Sequence, residues 1–276
     1  MDVDCLSYKQ TGYFSRLICD YLEENEGVKP FYNHYPSLKN FEAQIAEKQK
    51  SFPEENRSIL YDSLKKQYRD TKASKKTLDN LIRLKEPITF TAVTGHQLNL
   101  FTGPLYFLYK IISTINLTSE LNKEYPKYNF VPIYWMATED HDFDEINYFN
   151  LKGKKLQWNP NPGGHRGGAV GPLSTGGLEE VFEAFSNELG SGQNAEFLKD
   201  LFKKAYLGHD TLTAATRYLA NELFGAYGLV IVDGDDVELK KLLVPYVKKD
   251  IFENKAYKEV SKTIDLLKKA SEEYGV

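Results

Sequence analysis

Between Ile88 and Ala137 an apolar β-branched run, a long amphipathic stretch and a second apolar run follow one another, and this succession limits the fold more than anything else in the chain. ITFTAVT (Ile88 to Thr94) alternates β-branched and aromatic residues as a strand does. From Pro104 to about Glu124 the residues Leu105, Leu108, Ile111, Ile112, Ile115 and Leu121 recur at helical spacing, with Gly103 as the expected cap and Pro104 as the first helical residue. NFVPIYWMA (Asn129 to Ala137) then reads as a buried strand. Strand, helix and strand in about 50 residues make a βαβ unit, whose parallel pairing and handedness chain geometry nearly fixes. The expected class is α/β on a parallel sheet.

The flanks fit round that unit. Residues 1–86 carry helical patterns (GYFSRLICDYLEE, LKNFEAQIAEKQ, NRSILYDSLKKQYRD, SKKTLDNLIRLK), and are expected to form a helical layer packing on the core, ended by Pro87. Residues 87–150 are the first half of the core. Residues 151–206 form a connecting insertion that opens with LKGKKLQWNPNPGGHRGGAVGPL, dense in glycine, proline and asparagine, as a hairpin would be. Its GGHRGG stretch, around His165 and Arg166, reads as the hairpin tip or as a mobile loop closing over an anion. Residues 207–276 continue the core, with Leu229 to Val232 as a third buried strand and helical patterns on both sides.

Charge and length exclude several classes. Acids and bases are well mixed and sum to −4, which is not the footprint of a nucleic-acid binder. No apolar run reaches the roughly 18 residues of a membrane span, and MDVDCLSYKQ lacks the features of a signal peptide, so the expected location is the cytoplasm. Cys5 and Cys19 have no metal-type spacing, and no metal site is expected from them.

In a parallel sheet the segments that follow the strands gather at one edge, where ligands bind. The first such segment is Thr94-Gly95-His96-Gln97, leading to Thr102-Gly103-Pro104. The helix start beyond it suits a phosphate or carboxylate, Gly95 and Gly103 would let backbone approach a ligand, and His96 could meet a developing charge. Equally, Gly95 could make the turn and His96 face water. The second segment, Glu139-Asp140-His141-Asp142-Phe143-Asp144-Glu145, offers carboxylates that could bind a divalent metal with His141, or hold an ammonium and take its proton. Asp142 or Asp144 is expected to cap the helix starting near Phe143. The third, Asp233-Gly234-Asp235-Asp236, is by composition a tight turn, but an acid there could bond a ribose or sugar hydroxyl. His34, His165 and His209 are expected at the surface or in caps.

TGHQLNLFTGPLYFLYKIIS, VPIYWMATEDHDFDEIN and YGLVIVDGDD, together with KPFYNHYPS nearer the start, resemble the bacillithiol biosynthesis cysteine-adding enzyme family, in order along nearly the whole chain. The resemblance implies a Rossmann-like core with the topology of class I aminoacyl-tRNA synthetases. It implies a ligase that joins L-cysteine, through its carboxyl group, to the amine of glucosaminyl malate, giving bacillithiol. ATP, with or without magnesium, is the implied activator, with no covalently bound cofactor. The family's TG(Q/H)Q and FTGP turn falls on Thr94, Gly95, His96, Gln97, Phe101, Thr102, Gly103 and Pro104. Glutamine often stands where this chain has His96, which implies hydrogen bonding there rather than obligatory titration. The EDHDxxEIN pattern falls on Glu139, Asp140, His141, Asp142, Glu145, Ile146 and Asn147 and is the implied site of amine recognition. Asp140, His141 and His96 are thus the catalytic candidates, with Asp233 and Asp235 as candidates for a nucleotide or sugar hydroxyl. The family is about twice this length, so the resemblance also implies a missing C-terminal part, with a coiled coil that makes the full-length protein a homodimer. A truncated, catalytically inactive Rossmann-like binding protein and a metal-dependent hydrolase are the alternatives.

Overall fold

In the computed structural model, which describes residues 4–160 and 167–274, the chain runs through thirteen α-helices and five strands. In order these are α1 (Tyr8–Thr11), α2 (Arg16–Leu22), α3 (Phe41–Ser51), α4 (Glu54–Gln67), α5 (Lys75–Arg83), β1 (Thr89–His96), α6 (Tyr106–Glu124) and β2 (Asn129–Met136). Then follow α7 (Phe143–Ile146), β3 (Tyr148–Leu151), β4 (Lys154–Gln157), α8 (Leu178–Leu189), α9 (Gln193–Tyr206) and α10 (Leu212–Phe224). β5 (Val230–Asp233), α11 (Val237–Lys241), α12 (Val244–Glu253) and α13 (Lys255–Tyr274) complete it. His165 and Arg166 lie outside the described residues.

β1, β2 and β5 form a parallel sheet in the order β1-β2-β5, as the βαβ reading predicts, while β3 and β4 form a hairpin that turns at Lys152-Gly153, well before the GGHRGG tip that the sequence suggests. β2 is central and almost wholly buried, which is why it reads as a continuous apolar run rather than an alternating one. Proline in a central strand would ordinarily break the ladder. Here Asn129 N and Ala137 N bond toward β1, so by alternation Pro132 turns toward β5, whose pairing starts only at Ile133 opposite Val230. No ladder donor is lost.

The helix after β1 starts later than the sequence suggests. Gly103 and Pro104 are joined by a cis bond and precede the helix, and Leu105 is the N-cap. Gly103 serves close packing instead, since a Cβ there would sit 3.0 Å from the Cβ of Phe149. Before it, Phe101 and Thr102 hold positive φ angles of 52° and 60°, unusual for residues with side chains. Phe101 is anchored in that conformation: its N–H donates to Tyr206 Oη at 3.0 Å and its ring stacks on Tyr206 and Phe149.

Two compact units divide the chain, Met1–Ser51 with Leu243–Val276, and Phe52–Leu242. The helices of the expected 1–86 layer therefore fall in both units. α4 and α5 belong with the sheet because they supply Leu64, Tyr68, Leu81 and Leu84 to its core. In the other unit Glu47 accepts from Asn33 at 2.9 Å and from His34 at 2.8 Å, beside a cluster of Tyr21, Tyr32 and Tyr35.

The outer edges of the sheet differ. Ile231 N donates to Tyr68 Oη at 2.7 Å, Arg217 donates to Ile231 O at 3.1 Å, and Asp233 N donates to Gln67 Oε1 at 2.9 Å, so the outward groups of β5 end on side chains. On β1 Arg57 donates to Thr89 O at 3.0 Å, but Thr91, Val93 and Gly95 are exposed, and no hydrogen bond among the described residues reaches their outward backbone groups. Among the described residues no helix is long and apolar enough to cross a membrane.

Candidate functional site

The register aligns the strand ends: Met136 lies opposite both His96 and Asp233. The three segments that follow β1, β2 and β5 therefore meet at the carboxyl edge of the sheet.

One amide ties the first two together. Gln97 Nε2 donates to Asp140 Oδ2 at 2.9 Å and to Glu145 Oε2 at 2.6 Å, and Asn99 Nδ2 donates to Glu145 O at 3.3 Å. The acidic segment is also braced internally, because Asp142 N donates to Asp140 Oδ1 at 3.1 Å and Asp142 caps α7 by accepting from Glu145 N at 3.2 Å. Burial acts to raise the Asp140 pKa, but the bonds from Asp142 N, Gln97 Nε2 and His141 N outweigh it and hold the carboxyl below its ordinary value. Asp140 is thus an anion at neutral pH. His141 is largely exposed, with Nδ1 3.9 Å from Asp140 Oδ1.

His96 is half-buried, and burial lowers its pKa. Its Nδ1 lies 3.0 Å from Gln97 O, and because a carbonyl only accepts, Nδ1 carries the proton and Nε2 is left as an acceptor. A cavity of about 290 Å3 is lined by Gly95, His96, Gln97, Lys110 and Ala137. A Cβ at Gly95 would come no nearer than 3.8 Å to Trp135, so packing alone does not require glycine there. A second cavity, of about 720 Å3, opens beside His96, Gln97, Thr102, Gly103, Pro104 and Glu145. A third, of about 630 Å3, lies against His141, Asp142, Asp144 and Asn147. Asn147 is buried, its side chain donating to Asp144 Oδ1 at 3.4 Å while its carbonyl accepts from Trp158 N at 2.7 Å, so it chiefly joins α7 to the hairpin. Thr94 is half-buried within β1, opposite Tyr134.

The third segment closes on the second. Thr138 Oγ1 donates to Asp233 Oδ1, which also accepts from Asp235 N at 2.9 Å, and Asp235 pairs with Lys240. Asp236 caps α11. Glu139 lies over this turn: Trp135 Nε1 donates to Glu139 Oε1 at 3.0 Å, and a Cβ at Gly234 would fall 2.2 Å from Glu139 Oε2. A side chain there would have to displace the Glu139 carboxylate and the Trp135 indole.

Gln97 therefore sets Asp140 and Glu145 beside the His96 turn, Asp142 caps α7 and Glu139 lies over the β5 turn, with Lys110 as a cation near His96. Such a surface suits an ammonium group at the acids and an anion beside Lys110 and Gly95. Among the described residues no group of three or more His, Cys, Asp and Glu side chains is arranged to hold a metal ion. Sequence reasoning missed Lys110 and Asn99, which lie within the TGHQLNLFTGPLYFLYKIIS stretch but outside its matched positions. A helix position facing the turn was the only signal for Lys110. His34 bonds to Glu47, and His209 bonds to the carbonyls of Lys204 and Ala205 rather than to any of these acids.

The sequence profile described as "Bacillithiol biosynthesis BshC, N-terminal Rossmann-like domain" matches residues 1–275. A protein of Flavobacterium johnsoniae is 57% identical over 268 residues, 97% of this chain and 50% of its own length. One of Cytophaga hutchinsonii is 38% identical over 95% of this chain, and one of Bacillus cereus is 28% identical over all of it. Each bears the provisional name cysteine ligase BshC. The chain spans about half the length of the curated relatives it matches.

Proposed function

The chain belongs to the bacillithiol biosynthesis BshC family, through its N-terminal Rossmann-like domain, and from that membership we propose that it is the half of a ligase that assembles the amine-binding site for joining L-cysteine to glucosaminyl malate. The observation that carries the reading is the Gln97 bridge, which fixes Asp140 and Glu145 beside the His96 turn.

An amine arrives at neutral pH as an ammonium ion and attacks a carboxyl group only after losing a proton. Asp140, held ionised, and Glu145 attract and orient the ammonium. His96 Nε2 accepts a hydrogen bond from the amine, a role that the carbonyl oxygen of a glutamine also fills. ATP, when bound, supplies the activation that a free carboxylate needs before an amine can attack it. Lys110 and the bare backbone of Gly95 are the residues that suit a phosphoryl group. A cytoplasmic, reducing location goes with a free thiol product. Homodimerisation goes with the part of the relatives that lies beyond this chain.

The test is to incubate the full-length protein with L-cysteine, glucosaminyl malate and ATP and to measure bacillithiol by mass spectrometry. Asp140→Asn and His141→Ala are expected to lower turnover by about tenfold or more, and His96→Gln by less. A wild-type protein that forms no amide, or cells without the gene that keep normal bacillithiol and accumulate no glucosaminyl malate, would sink the proposal. Equal, severe losses at His96 would reverse the ranking of the two segments.

A further inference from the structure

Beyond the sealed edge of β5 lies a cavity of about 470 Å3, lined among others by Gln67, Asp70, Lys72, Arg217, Asn221 and Asp233. Arg217 is only 8% exposed. Its guanidinium lies over the Tyr68 ring and donates to Ile231 O at 3.1 Å and to Gln67 Oε1 at 2.9 Å, both uncharged acceptors. No carboxylate among the described residues lies within ion-pair distance of it, although the charge of Asp233 acts on it. Sealing a strand edge needs a donor and no charge; a neutral amide would do it with far less desolvation. The carboxylate whose charge reaches the buried guanidinium is Asp233. A guanidinium held flat, with donors left over beside a cavity, is the fork that takes a carboxylate in two bonds. The start of α10 is not the anion site, because Leu212 N, Thr213 N and Ala214 N already bond to Leu173 O, Gly171 O and Thr211 Oγ1.

The opposite charge is provided across the same amide. Gln67 Oε1, which accepts from Arg217, also accepts from Asp233 N, so cation and acid are fixed on either side of it. Asp233 Oδ1 is taken by Thr138 and Asp235 N, whereas Oδ2 has no partner among the described residues. Lys72 and Asp70 repeat the two signs in the lining. We infer that this cavity binds a free α-amino acid as its zwitterion, the carboxylate on Arg217 and the ammonium on Asp233 Oδ2. A ligand with one charge would leave one pole unmet.

The test is calorimetric titration of the full-length protein with L-cysteine and L-serine, and with cysteamine and 3-mercaptopropionate, which lack the carboxylate and the amine respectively. The choice of cysteine rests on the proposed function, while the ligand class rests on the two charges. Both amino acids bind, each truncated probe binds about tenfold or more weakly, and Arg217→Gln, which keeps a donor for Ile231 O, loses about tenfold or more in affinity with its unfolding temperature preserved. A folded Arg217→Gln protein that binds L-cysteine as tightly as the wild type overturns the inference. Should that variant unfold, the wild type decides: L-selenocysteine soaked into crystals should give its anomalous peak between Arg217 and Asp233, and a peak only beside His96 and Asp140 overturns it. Amino-acid binding here by a protein that makes no bacillithiol supports this site and counts against the proposed function. Ligase turnover without such binding does the reverse.

Discussion

Along the outer edge of β5 the backbone groups of Ile231 and Asp233 end on Tyr68, Arg217 and Gln67, whereas along β1, among the described residues, only Thr89 meets a side chain and Thr91, Val93 and Gly95 face outward unmet. A strand added at β5 would have to expel buried side chains from their bonds. One added at β1 would find free donors and acceptors in parallel register. The sheet can thus grow in one direction only, and its growing side is the side of the His96 turn.

The largest expected effect comes from breaking the sealed edge. Gln67→Leu strands Asp233 N and an Arg217 donor, each lost bond costing about 1–3 kcal/mol, so urea denaturation should show a loss of about 3 kcal/mol. Tyr68→Phe removes the acceptor for Ile231 N alone and should cost about 2 kcal/mol by the same measurement. If either variant is as stable as the wild type, the seal is incidental. Hydrogen exchange compares both edges in one sample: the amides of Thr91 and Val93 should exchange about tenfold or more faster than those of Ile231 and Asp233. Equal protection in this chain would mean that β1 is covered too.

A smaller effect is set by pH at the end of β1. The His96 pKa is lowered by burial, so its contribution to stability is present above the ordinary histidine value and is lost as pH falls through the lower folded value. A thermal melt series should therefore show a shallow decline on mild acidification that His96→Gln removes. Smallest of all, Val93→Thr on the exposed face should leave stability within about 0.5 kcal/mol. A larger loss would show that the β1 face is packed rather than open.

The parallel core was legible because ITFTAVT, NFVPIYWMA and LVIV are apolar runs of strand length set round a long helical period. The helix start was misplaced because Gly-Pro reads as a cap and first turn, while the packing of Gly103 on Phe149 comes from a strand more than forty residues away. The acidic segment stood out by composition, and the capping by Asp142 followed from ordinary helix chemistry. The Gln97 bridge did not stand out, since nothing local in a glutamine says which distant carboxylates it will reach. Arg217 and Gln67 were invisible for a related reason. On an amphipathic helix a polar residue reads as solvent-facing, and only the tertiary structure shows that these two turn inward to a strand edge.

The Glu139 carboxylate wedged between Trp135 and Gly234 gives the molecule an optical reporter of its own. The chain has two tryptophans, and Trp158 is wholly buried with its indole N–H on Gly176 O, so its emission is a fixed reference. Trp135, half-buried and hydrogen-bonded to the acidic segment, is the fluorophore whose colour answers to whatever docks at that edge. Substrates can be titrated against an intrinsic signal, with no label and no turnover required.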